Sequence, residues 1–178
     1  MAEKIAALKE QARRAEIPVI YVNDNFGKWQ SDFNKLLNHC LEDDVRGKPI
    51  AELLRPETED YFVLKPKHSG FFSSTLDTLL DYLQAKTLIL TGVAGNICVL
   101  FTANDAYMRD FNLVIPADCV ASNLPEDNEH ALGIMQTVLK ADTRPSTEIN
   151  LEELKQRAAG EPDAPAEKSQ TAQFAHRD

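Results

Sequence analysis

The chain has 178 residues, 43% of them hydrophobic and 26% charged, which suits one globular domain with a single core rather than a disordered chain. Its 28 acidic against 19 basic residues give a formal charge of −9. That balance disfavours nucleic acid or an anionic membrane as partner and favours a small molecule or a protein. No apolar run approaches the ~20 residues of a membrane helix, and the charged opening MAEKIAALKEQARRAE lacks a secretory core. The three cysteines Cys40, Cys98 and Cys119 form no disulfide or metal spacing, so a cytoplasmic location is expected.

The elements alternate from the start. Ile5, Leu8 and Ala12 recur at helical spacing while Lys4, Lys9, Arg13 and Arg14 point elsewhere, as in a helix lying on a core. IPVIYV at 17–22 reads as a buried parallel strand, ended by the turn formers Asn23, Asp24, Asn25 and Gly27. Ser31 to Cys40 carries Phe33, Leu36 and Leu37 on one side of a helix, and Asp43 to Arg55 reads as a loop or short helix. Tyr61 to Leu64 form the next strand, Leu76, Leu79, Leu80 and Leu83 the buried stripe of a helix, and Thr87 to Leu90 another strand.

A helical stretch then leads to the strand Leu113 to Ile115, stopped by Pro116. The next helix begins near Pro125, with Ala131, Leu132, Met135, Val138 and Leu139 expected to face inward. Arg144 to Ile149 reads as a last edge strand and Leu151 to Arg157 as a closing helix. The domain is expected to span 1–157, and 158–178, with two prolines and one large apolar residue, to stay disordered. Strands separated by helices predict an α/β fold: a doubly wound, mostly parallel sheet with helices on both faces, binding its ligand at the carboxyl ends of strands.

Within that frame Cys98 is the most informative residue. It follows the strand and turn TLILTGVAGN close to a helix start, where the helix dipole favours thiolate over thiol. The plainer role is that of a small buried apolar residue between Ile97 and Val99. Lys65, held before Pro66 at the end of another strand, is placed to aim an ammonium into the same cleft, although a lysine after a strand is more commonly solvated.

LKPKHSGFFSSTLDTLL followed by LILTGVAGNICV and TANDAYMRDFNLVIPADCVAS resembles the isochorismatase-like cysteine hydrolases over roughly residues 1 to 150. The resemblance implies a three-layer α/β/α fold with Cys98 as nucleophile and Lys65 as the lysine of its triad. It also implies a cis Val93–Ala94 peptide whose turn helps the Cys98 N–H to hold an oxyanion. Thiolate attack on an amide-like carbonyl creates that oxyanion, and preorganised donors stabilise it. Gly95 and Asn96 stand where the family commonly has threonine and aspartate.

Family members usually begin with a strand ending in the aspartate that serves as base. This chain begins in the following helix, so that strand and its aspartate are expected to be missing, as in a shortened version of the protein. Asp24 is the best replacement base and His68 a second, each with a commoner use as turn former or solvated loop residue. Asp24, His68 and Phe71 are candidate substrate contacts, with Phe72 and Trp29 as further pocket walls, though such aromatics more often belong to the core. Asn23-Asp24-Asn25-Phe26 lacks the histidine of metal-binding relatives, so no metal and no other cofactor is expected.

The sequence therefore points to hydrolysis of a small amide, carbamoyl or related C–N bond through a thioacyl intermediate. Cys98 speaks against the vinyl-ether hydrolysis of isochorismatase itself. The competing readings are a catalytically impaired binding or oligomerisation module and a redox sensor resolving through Cys119. The resemblance also implies a homo-oligomer.

Overall fold

A computed structural model describes residues 1–25, 32–42 and 45–160, without the side chains of 33–36 and 42. Trp29 and the segment 161–178 lie outside the described residues. Helix α1 (Ala2–Arg14) leads to strand β1 (Ile20–Asp24), α2 (Phe33–Glu42), α3 (Lys48–Leu53) and β2 (Tyr61–Lys65). Helix α4 (Leu76–Tyr82) precedes β3 (Thr87–Ile89) and the two-residue β4 (Gly92–Val93). A π-turn over Gly95–Val99 runs directly into α5 (Leu100–Tyr107). Strand β5 (Asn112–Val114), β6 (Val120–Ala121), α6 (Pro125–Thr137) and α7 (Leu151–Gly160) complete the order.

Every strand pair is parallel: β1 with β2, β3 with β5, and β4 with β6. Among the described residues these are three separate two-stranded ladders. Successive side chains of a strand point to opposite faces, and here the faces feed two different cores. Leu88 and Leu113 enter a cluster with Leu76, Leu80, Ala103, Ala106 and Met135 from α4, α5 and α6. Their neighbours Ile89 and Val114 pack instead with Leu8 and Ala12 of α1 and with Ile149 and Leu151. Helices thus cover both faces, the α/β arrangement expected from the alternation. Glu3 in the first turn of α1 and Arg13 and Arg14 in its last complement the helix dipole.

Three local expectations are corrected. Arg144 to Ile149 is not an edge strand: after a single bridge between Val114 and Asp142 the chain enters a 3-10 turn at Ser146–Glu148. The cause is Asp118, whose carboxylate accepts the Ser146 N–H at 2.7 Å and the Ser146 hydroxyl at 2.8 Å, so that amide is taken by a side chain rather than a ladder. Val138, the residue that caps α6, is 58% exposed: the buried face of the helix is Ala131 and Met135, four positions apart on one side, and Leu139 joins the same core from just beyond the helix end. The closing helix runs past Arg157 to Gly160, taking 158–160 out of the expected tail.

Candidate active site

Parallel pairing of β1 with β2 sets Asp24 opposite Lys65 at the carboxyl ends of both strands. Side chains at paired positions share a face, and Lys65 Nζ meets Asp24 Oδ2 at 2.9 Å. The Lys65 side chain is 2% exposed and that of Asp24 31%. An ammonium so deeply buried requires a charged or strongly polar partner, and Asp24 is one. The second contact is Cys98: Lys65 Nζ donates to its Sγ at 3.6 Å, and the Cys98 thiol donates to Asp24 Oδ2 at 3.9 Å. Thiol, ammonium and carboxylate therefore form a closed triangle, built from three segments and open to solvent on the Asp24 side.

Local structure fixes the thiol. The Val93–Ala94 peptide is cis, and the π-turn places Cys98 just before α5. Thr102, one turn along, donates its hydroxyl to the Cys98 carbonyl at 2.6 Å and accepts the Gly70 N–H at 2.9 Å. That bridge locks the turn after Lys65 onto the helix carrying Cys98. A side chain at Gly70 would be tightly placed there, since a Cβ would stand 3.0 Å from Leu76, 3.2 Å from Val22 and 3.4 Å from Thr102. Ser69, also buried, hydrogen-bonds Asp105 of α5 and accepts the Phe71 N–H at 3.1 Å.

The remaining candidates separate clearly. His68, in the left-handed region at φ 43°, lies with its ring 5.2 Å from that of Phe101, one helical turn beyond Cys98. Phe71 is a core residue, 5% exposed, with the Arg109 guanidinium over its ring at 4.5 Å, so it does not line the cleft; Phe72 is exposed. Cys119 is fully buried, and burial, reinforced by the Asp118 carboxylate, pushes its thiol up to about 11. A thiol of that kind is inert near neutral pH.

Sequence reasoning missed Thr102, Ser69 and, on the far side of the turn, Ser122 and Asn128. Each acts through partners at least six positions away or through a main-chain atom, and no periodicity marks such contacts. The glycines are the nearest signal, for Gly70 and Gly95 both sit where another side chain presses on the backbone.

The site is thus a thiol, an ammonium and a carboxylate gathered at the ends of β1 and β2 and in the turn after β4. The isochorismatase domain matches residues 1–143, and the chain belongs to that family, which is hydrolytic. It is 50% identical over 145 residues to YaaI, an isochorismatase family protein of Bacillus subtilis (strain 168), covering 82% of this chain and 79% of that one. It is 35% identical over 89 residues to the ureidoacrylate amidohydrolase RutB of Methylorubrum extorquens, covering 49% of this chain but only 36% of that protein. Among solved structures, N-carbamoylsarcosine amidase from Thermoplasma acidophilum superposes with a TM-score of 0.67 at 28% identity, over 84% of both chains.

Proposed function

We propose that the protein is a cysteine hydrolase of small amides, carbamoyl compounds or related C–N bonds, with Cys98 as nucleophile, Asp24 as base and acid, and Lys65 as the cation between them. The observation that carries this reading is the triangle of contacts at 2.9, 3.6 and 3.9 Å. The amide-cleaving relatives support the same class of bond.

In the first step the Cys98 thiol passes its proton to the Asp24 carboxylate as sulfur bonds to the substrate carbonyl carbon. The carbonyl oxygen becomes an oxyanion, held by the backbone amides of Ala94 and Cys98. Lys65 stabilises negative charge on the sulfur and fixes the Asp24 carboxylate. Asp24 then returns its proton to the departing nitrogen, the C–N bond breaks, and a thioester remains. Water adds to the thioester with Asp24 taking its proton; the C–S bond breaks, the acid is released and the proton returns to the sulfur.

The test is release of ammonia or amine from a panel of small primary amides and carbamoyl compounds by the purified chain. Cys98→Ala is expected to lower the best activity by about a thousandfold or more, as removal of a nucleophile does. Retention of activity in that variant overturns the assignment.

A further inference from the structure

The turn that carries Cys98 is held from outside as well as from within. Gly95, buried at its start, could not bear a side chain, because a Cβ there would stand 2.3 Å from Asn128 Oδ1, 2.7 Å from Val120 Cγ1 and 3.1 Å from Ser122 Oγ. The groups pressing on it form a directed chain. The Asn96 N–H donates to Ser122 Oγ at 3.1 Å, the Ser122 hydroxyl donates to Asn128 Oδ1 at 3.1 Å, and Asn128 Nδ2 donates to the Val120 carbonyl at 3.4 Å. Ser122 follows β6, which is itself paired with β4, the strand that enters the turn. Asn128 lies in the first turn of α6.

The first amides of a helical turn have no intrahelical acceptor. At Asn96 a side-chain hydroxyl supplies one, and an amide side chain in turn fixes that hydroxyl's rotor. We infer that Ser122 and Asn128 are positioning residues for the Cys98 turn: they orient its backbone donors toward the oxyanion without touching the reacting atoms, and Gly95 is glycine because Asn128 fills the space of its side chain. This inference rests on the hydrolase reading of Cys98.

Two reactions of the same sulfur separate positioning from general damage. With p-nitrophenyl acetate, Cys98 sulfur bonds to the acetyl carbon through an oxyanion, the ester C–O bond breaks, and p-nitrophenolate leaves with the electron pair while the thiol proton goes to Asp24. With iodoacetamide, sulfur displaces iodide and no oxyanion forms. Ser122→Ala is expected to slow acylation of Cys98 about tenfold, less than the ~100-fold that follows loss of an oxyanion donor itself, and to leave alkylation of Cys98 unchanged. Asn128→Ala gives an independent reading with a smaller loss in the same reaction, and Ser122→Thr, which keeps the hydroxyl, restores acylation.

Equal acylation rates in wild type and both alanine variants overturn the positioning role alone. Parallel loss of both reactions also overturns it, by showing a general disturbance of the site. A wild-type Cys98 that is alkylated by iodoacetamide but never acylated removes the hydrolase reading, and this inference with it.

Discussion

Two lysine–aspartate pairs, alike in distance, serve different ends in this molecule. Lys9 meets Asp60 at 2.8 Å with side chains 10% and 4% exposed, and Lys65 meets Asp24 at 2.9 Å with 2% and 31%. An ammonium has three donors, and at Lys9 all three have oxygen acceptors: Asp60, the Tyr21 hydroxyl at 2.6 Å and the Arg55 carbonyl at 2.9 Å. Asp60 is equally well supplied, by Arg13 at 3.0 Å and by the Glu57 N–H at 2.8 Å. That cluster ties α1 to the segment before β2. Lys65 instead divides its contacts between a carboxylate and a thiol, and the carboxylate faces solvent. A saturated pair holds structure, whereas a pair that shares its proton inventory with a sulfur has chemistry available to it.

The comparison is sharpest at the lysine itself. Lys65→Met is expected to abolish Cys98 reactivity toward amide substrates, by about a thousandfold, because it removes both the charge beside sulfur and the anchor of Asp24. Lys9→Met should leave activity within about threefold and lower the thermal midpoint instead. Amide turnover and thermal unfolding on the two variants test the distinction, and a Lys9 variant as inactive as the Lys65 one would break it.

On the acidic side, Asp24→Asn keeps an oxygen acceptor for the buried Lys65 ammonium but cannot accept the thiol proton, and a loss of about 100-fold in turnover is expected, with some loss of stability because Lys65 loses its counter-charge. Asp60→Ala reverses the pattern: it removes the carboxylate shared by Lys9 and Arg13, costs about 2 kcal/mol by denaturant unfolding, and spares turnover.

The smallest effect is in the pH dependence of folding. Burial works to raise the Asp60 carboxyl, but hydrogen bonds from Lys9, the Glu57 N–H and Arg13 outweigh it and hold the group below 3.8. A carboxyl depressed on folding contributes stability that is fully present above its unfolded value and lost as pH falls through its folded one. Wild type should therefore lose stability below about pH 4, and Asp60→Asn should flatten part of that limb in urea unfolding measured from about pH 5 down to about 2.5. An unchanged acid limb would remove Asp60 from the account.

Much of the frame was written locally. The apolar runs around Val22, Val63 and Leu88, each followed by turn formers, and the helical stripes of α1, α4 and α6 are short-range patterns, which is why α/β alternation, Lys65 at a strand end and Cys98 in the turn after a strand could be read from residues alone. Periodicity does not report which way a side chain turns once the chain has packed. Phe71, next to the turn that follows Lys65, went into the core under Arg109, and Ser146 was drawn into a turn by Asp118.

The sequence offered Asp24 as a replacement base, but only tertiary structure placed it beside Lys65 and beside Cys98, 74 positions away. The register of β1 on β2 sets it opposite Lys65, and the packing of α5 brings the thiol to both. The same is true of Ser122 and Asn128, which reach the Gly95 turn through β6 and α6. Composition and periodicity act over a few residues and specify elements; a triangle of thiol, ammonium and carboxylate depends on strand register and helix docking, which are set by the burial of two separate cores.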